Sequence, residues 1–214
     1  MRKVLIGTPA HDGRVDVWFA NSLVNTIKLS MIHNVEIIPI YMSYDSIVQR
    51  ARNDLVRLAL EDDFDDLIFI DSDEEWNPEW IFKLLKYSED VIGATVVKKS
   101  DFTAFNVKVL ESGLTAEKNG LMEVECVGTG FLKLSRTALE KVWDISPEYF
   151  NEGRKCRMVF DVQIVDGDLV SEDNVFCKKW RSLGGKVFID PAMTCNHIGV
   201  KKYQGNFLEF INKH

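Results

Sequence analysis

The chain has 214 residues, 46% hydrophobic and 28% charged, a length and balance suited to one folded domain with its own core and unlike a disordered or collagen-like sequence. Its formal charge of -7, from 26 basic and 33 acidic residues, argues against a sequence-independent nucleic-acid binder, because phosphate contacts need clustered Lys and Arg. Cys126, Cys156, Cys177 and Cys195 form no CxxC pair, so neither a zinc knuckle nor a thioredoxin-type site is indicated, and scattered thiols imply a reducing, cytoplasmic location.

The apolar run in "MRKVLIGTPAHDG" stops at Ile6, short of a secretory signal, and no segment approaches the roughly 18 apolar residues of a membrane span. "KVLIGTPA" reads as a first buried strand opening into a loop at Thr8 to Gly13. Val15 to Met31 carries apolar residues at helical spacing, and "NVEIIPI" reads as a second strand. In "SYDSIVQRARNDLVRLAL", Ser43 or Asp45 is a candidate cap; Val48, Ala51, Leu55 and Leu58 share one helical face and Arg50, Asn53 and Arg57 the opposite, polar one. "DLIFID" is a third strand, "NPEWIFKLLKY" a helix with Pro78 in its first turn, and "VIGATVV" a fourth strand. This alternation implies a parallel, doubly wound sheet with helices on both faces.

Beyond Lys98 the pattern changes. "FTAFNVKVL", "MEVECVGTGFLKLS" and "KVFIDPAM" are strand-like, with helices at about Arg136 to Trp143 and Glu172 to Leu183. We therefore expect a single domain over 1–214, with a nucleotide-binding half at about 1–98 and an acceptor-side half at about 99–214. "GNFLEFINKH" carries no clear stop, which leaves room for the chain to be a module of a longer polypeptide.

Chemistry concentrates in four places. "DLIFIDSDEEW" sets Asp71, Asp73, Glu74 and Glu75 where a buried strand ends, the place where ligands gather in open α/β sheets. Asp71 and Asp73 can converge on one hard cation, magnesium or manganese, or be a solvated acidic turn. An EF-hand fails, because Trp76 and Phe82 stand where Gly and Glu are needed. "GTGFLK" has glycines at 128 and 130 but Lys133 in place of a third, so those two are either a strand bulge or a close approach to a ligand. "VSEDNVFCKKW" opens a helix with Ser171 as cap and Glu172 and Asp173 in the first turn, serving the helix dipole or acting as a general base. "DPAMTCNHIGVKKYQG" places His197 in a loop after the last strand, structural or completing a metal site. Glu74 and Glu75 are read as loop residues without chemistry.

In this order, "GTPAHDG", "ARNDLV", Asp71-Ser72-Asp73, "GTGF", "SEDNVFCKKW" and "HIG" resemble a metal-dependent GT-A glycosyltransferase with a DxD motif, over about residues 3 to 205. The compact size is similar to that of viral and phage-type modules. The resemblance implies an α/β, Rossmann-like central mixed sheet flanked by helices. It implies metal ligation by Asp73 and His197, with Asp71 on the metal or the ribose and Ser72 among the residues that bind the donor. Thr8, Pro9 and Asp12 would line the nucleoside pocket, Arg52 and Asn53 would lie near the nucleotide or donor sugar, and Lys98, Thr129 and Gly130 would border the sugar. Glu172 or Asp173 would be the catalytic carboxylate of an inverting enzyme. The implied activity moves a hexose from a UDP sugar such as UDP-glucose to a glycan or protein-linked hydroxyl with Mn2+ or Mg2+. The alternatives are a non-catalytic nucleotide- or carbohydrate-binding module and a phosphotransferase using Asp71 as nucleophile.

Overall fold

The computed structural model describes residues 1–212 apart from 115, 117 and 118. In chain order the elements are β1 (Arg2–Ala10), α1 (Val17–Ser30), β2 (Val35–Ser43), α2 (Val48–Glu61), β3 (Asp66–Ile70), β4 (Glu74–Glu75), α3 (Glu79–Lys86) and β5 (Val91–Val96). There follow β6 (Val107–Lys108), β7 (Met122–Val124), β8 (Cys126–Val127), β9 (Phe131–Ser135), α4 (Arg136–Ile145), β10 (Glu148–Asn151), β11 (Arg154–Arg157), β12 (Gln163–Val165) and β13 (Asp168–Val170). The chain then runs through α5 (Glu172–Ser182), β14 (Val187–Ile198), β15 (Lys202–Tyr203) and α6 (Phe207–Ile211).

The main sheet has the order β15-β14-β5-β9-β3-β1-β2, with β4 and β7 pairing on β14. β1 pairs in parallel with β2 and β3, and β14 with β5, but β9 inserts between β3 and β5 antiparallel to both. The α/β class with a central mixed sheet flanked by helices is thus the class the structure has. The fully parallel sheet implied by the strand-helix alternation is interrupted by one strand from the second half.

Both faces of the central strands are covered, which explains why β3 and β5 are apolar runs without a polar side. Leu5, Leu67 and Phe69 face one core cluster with Leu55, Leu139 and Phe176. Val4, Ile6, Ile68 and Ile70, their immediate neighbours in sequence, face the other with Phe19, Ile81 and Leu84. That is the two-residue period of a strand buried on both sides, each such side chain contributing about 1.5–3 kcal/mol by burial. β3 is therefore rigid along its whole length, and the acidic turn hangs from its carboxyl end.

Two boundaries differ from the sequence reading in ways that matter. β1 continues through Ala10, and the turn follows at His11–Gly13, where Gly13 adopts φ 73°. β14 runs on to Ile198, so His197 lies in a strand rather than in a loop, paired with Glu74 of β4 and Tyr203 of β15. Pro191 within the strand and Gly199 just after it mask this extension in the sequence. α2 begins only at Val48, because Asp45 first accepts a bond from the Ile47 amide at 2.8 Å and holds a separate turn. Two residues of its supposed polar face are buried: Arg57 lies against Asp54 and Glu61, and Asn53 is fully enclosed, whereas Arg50 stays partly exposed on Asp45.

Candidate active site

The turn after β3 is fixed from three sides. The Asp71 amide donates to the Gly130 carbonyl at 3.1 Å, the Glu74 amide to the Asp71 carbonyl at 3.2 Å, and the Asp16 amide, at the start of α1, to the Ser72 carbonyl at 2.8 Å. Asp71 and Asp73 then face different partners. Asp71 Oδ1 accepts from Arg52 Nη2 at 3.0 Å, and the other arm of the same guanidinium holds Glu172 at the start of α5. Arg52 is almost fully enclosed, so one buried cation ties the acidic turn to the acidic helix start.

Asp73 faces His197, whose Nε2 lies 3.5 Å from Asp73 Oδ1 and 3.8 Å from Glu74 Oε1. His197 Nδ1 sits 3.0 Å from the Val97 carbonyl. A carbonyl can only accept, so Nδ1 donates to it, which leaves Nε2 facing the two carboxylates, where it can donate a proton or take a metal in its place. Ligand atoms of Asp73, Glu74 and His197 lie within 4.8 Å of one another, a grouping that can hold a metal ion. Lys99 forms an ion pair with Asp73 in the same place.

Glu74 is the residue the sequence reading missed. It is 1% exposed, and its Oε2 has no hydrogen-bond partner among the described residues. Burial first, and then the charges of Asp71 and Asp73, push its carboxyl well above the ordinary carboxylate range. Burial also pushes Asp73 up, but bonds from His197 and Lys99 outweigh it and leave that carboxyl below its ordinary value. An unpartnered buried carboxylate oxygen beside a second carboxylate and an imidazole nitrogen suits a divalent cation with mixed oxygen and nitrogen ligands. No local signal marked it: only the pairing of β4 with β14 sends Glu74 inward and Glu75 outward to Asn196 and Lys202.

The cluster stands between two cavities that share Arg52, Asp71 and His197. One, about 380 Å³, is lined by Pro9, His11, Asp45, Ser72 and Asp73 as well. The other, about 260 Å³, adds Glu74, Lys98, Thr129, Gly130, Glu172 and Asp173. Gly130 packs closely here: a Cβ on it would lie 3.1 Å from Glu74 Oε1 and 3.2 Å from Val96 Cγ2, so a side chain would make these groups give by a few tenths of an ångström.

Of the expected site residues, Pro9, Arg52, Asp71, Ser72, Asp73, Lys98, Thr129, Gly130, Glu172, Asp173 and His197 meet at these cavities. Thr8 lies buried next to Pro9 with its hydroxyl unpartnered among the described residues. Asp12 stands apart, exposed at the turn, its carboxylate accepting from the Arg14 amide at 3.1 Å. Asn53 turns away, because successive helix positions differ by about 100°. Its amide donates to the Phe160 carbonyl at 2.9 Å and accepts from the Phe160 amide at 2.8 Å, so it clamps the segment before β12 instead of facing the cavities. Asp173 Oδ1 accepts from Ser171 and from the Asn174 amide, and Oδ2 has no hydrogen bond among the described residues.

No protein-family model matches the chain, and no curated protein sequence does. Among solved structures, A197 from STIV matches over 93% of this chain and 86% of its own, with TM-score 0.57 and 17% identity. Looser matches are a glycosyltransferase involved in glycosylation of the major capsid of PBCV-1 (TM-score 0.37, 14% identity, 68% of this chain and 66% of that one). S. aureus TarS 1-349 in complex with UDP matches with TM-score 0.43 and 16% identity, over 91% of this chain and 57% of that one. What this chain shares with A197 is the fold.

Proposed function

We propose that the chain is a glycosyltransferase that moves a hexose from a UDP sugar such as UDP-glucose to a hydroxyl acceptor, using manganese or magnesium, in the cytoplasm. The observation that carries this reading is the Asp73–Glu74–His197 cluster, with its buried unpartnered oxygen, at the junction of two cavities. Asp73, Glu74 and His197 would hold the cation, which when bound neutralises the charge that builds on a departing diphosphate. Thr8 and Pro9 would meet the nucleoside in the larger cavity, and Thr129, Gly130 and Lys98 the sugar in the smaller one. Arg52 fixes Asp71 toward the ribose and Glu172 toward the acceptor side, so both carboxylates are positioned before substrate arrives. Asp173, with a free oxygen, is the better placed of the acidic pair to take the acceptor proton in an inverting transfer.

Calorimetric titration with UDP, with and without manganese, tests the site in the wild type and in Asp73→Ala. The expected result is manganese-dependent binding lost in the variant; equal, metal-independent binding by both overturns it. The engagement of Glu172 by Arg52 favours a second reading, donor binding without turnover. Release of UDP from UDP-glucose over hours separates the two.

A further inference from the structure

A cavity of about 450 Å³ lies on the opposite side of the β4–β14 ladder from the acidic cluster. Strand alternation makes the two sites neighbours: Glu74 and His197 point into one, and the adjacent Glu75 and Asn196 line the other. Its walls come from two short stretches of sequence. In α1, Trp18, Asn21, Ser22 and Asn25 stand at helical spacings of three and four and so share one face. "WNPEW", leading into α3, supplies Trp76, Asn77 and Trp80 opposite.

Three of the chain's five tryptophans therefore line a single cavity. Trp76 donates its indole N–H to Thr26 at 3.1 Å and is structural. Trp18 and Trp80 donate theirs to no described residue, and the exposed amides of Asn21 and Asn25 are equally unengaged. The charges at the floor cancel: Glu75 is bonded to Lys202 at 2.5 Å and to Asn196 at 2.7 Å. Lys202 also lies 4.2 Å from the centre of the Trp18 ring, which holds that ring in place before any ligand arrives. The cavity thus offers flat apolar ring surface, amide donors and acceptors on one rim, and no uncompensated charge. Its size falls in the range of ligand sites. A phosphate or an ammonium group would find no free counter-charge there, whereas a neutral sugar has both the apolar C–H face and the ring of hydroxyls that indole and amide side chains match.

We propose that this cavity is a second, non-catalytic site for a neutral carbohydrate chain, separate from the donor site and independent of any metal. It would hold a glycan near the reaction centre without taking part in transfer, and its existence does not depend on the activity proposed above.

The test is a titration of 15N-labelled protein with neutral gluco-, galacto-, manno- and N-acetylglucosamine trisaccharides, following the indole N–H resonances of Trp18 and Trp80. At least one of these sugars is expected to shift both resonances saturably, in wild type and in Asp73→Ala alike, and with UDP present. Trp18→Ala should weaken that binding about tenfold or more, as should Asn21→Ala/Asn25→Ala, whose exposed positions leave the core intact. Absence of a shift with every sugar at tens of millimolar overturns the proposal. So does unchanged affinity in both variants, or a shift produced equally by inorganic phosphate. Loss of sugar binding in Asp73→Ala would place the sugar in the donor site instead.

Discussion

Replacing Arg52 by Met removes the one cation that Asp71 and Glu172 share while keeping most of the side-chain volume. Removing one partner of a buried ion pair costs about 3–5 kcal/mol, because the other charge is stranded. Here the stranded groups are partly open to water, Asp71 with 35% and Glu172 with 15% of the side chain exposed, so both can recover some hydration. We expect a loss of about 2–3 kcal/mol, equivalent to a fall in Tm of roughly 4–12 °C for a chain of this size. Urea unfolding at constant m value measures it. Adding Glu172→Gln to Arg52→Met removes one stranded charge and should return about 1 kcal/mol, a coupling that independent sites do not show. A loss below about 0.5 kcal/mol, or a double variant less stable than the single one, would refute the bridging argument.

Asn53→Ala should cost about 2–3 kcal/mol by leaving the Phe160 amide and carbonyl unpaired in the interior, with UDP affinity unchanged in the folded variant; weakened UDP binding at normal stability would put Asn53 at the nucleotide after all. Glu74 is raised above its ordinary value by burial and by Asp71 and Asp73. The folded protein therefore keeps a proton that the unfolded chain releases, and this contribution to stability is full below the ordinary carboxylate range and falls as pH rises above about 4.5. Urea midpoints measured without metal should decline less with pH in Glu74→Gln than in wild type, and parallel curves would show that Glu74 does not titrate this way. Lys99→Met should raise manganese affinity about two- to fivefold in the absence of nucleotide, since an exposed ion pair is worth about 0.2–1 kcal/mol. Weaker manganese binding would mean that the lysine does not compete for Asp73.

The N-terminal half was legible because its strands are apolar on both faces and its helices carry one buried stripe, so periodicity alone located β1, β3, β5 and α1. The acidic turn was legible for the same reason: Asp71 and Asp73 stand where that apolar run stops. Glu74 was not, because nothing local distinguishes it from Glu75, and its burial is imposed by pairing with a strand more than a hundred residues away. His197 was picked out by its chemistry but misplaced in a loop, since the pairing that extends β14 is equally remote. The buried face of α2 was misread because Arg57 and Asn53 look solvent-facing until Asp54 and the Phe160 backbone are brought against them.

The insertion of β9 between β3 and β5 bears on how this chain emerges from a ribosome. When residues 1–98 have been made, β3 and β5 each have an open edge and no bond to each other, because the strand that joins them has not been synthesised. Both are fully apolar, and such unpaired edges invite pairing with other chains. The β3 edge therefore stays open until residue 135 has cleared the exit tunnel, and the second edge of β5 until β14 follows, so a truncation ending near residue 98 should aggregate rather than yield a soluble nucleotide-binding unit. Slowing translation before β9 lengthens that exposure, whereas a chaperone that covers the β3 and β5 edges during it would raise the yield of folded protein.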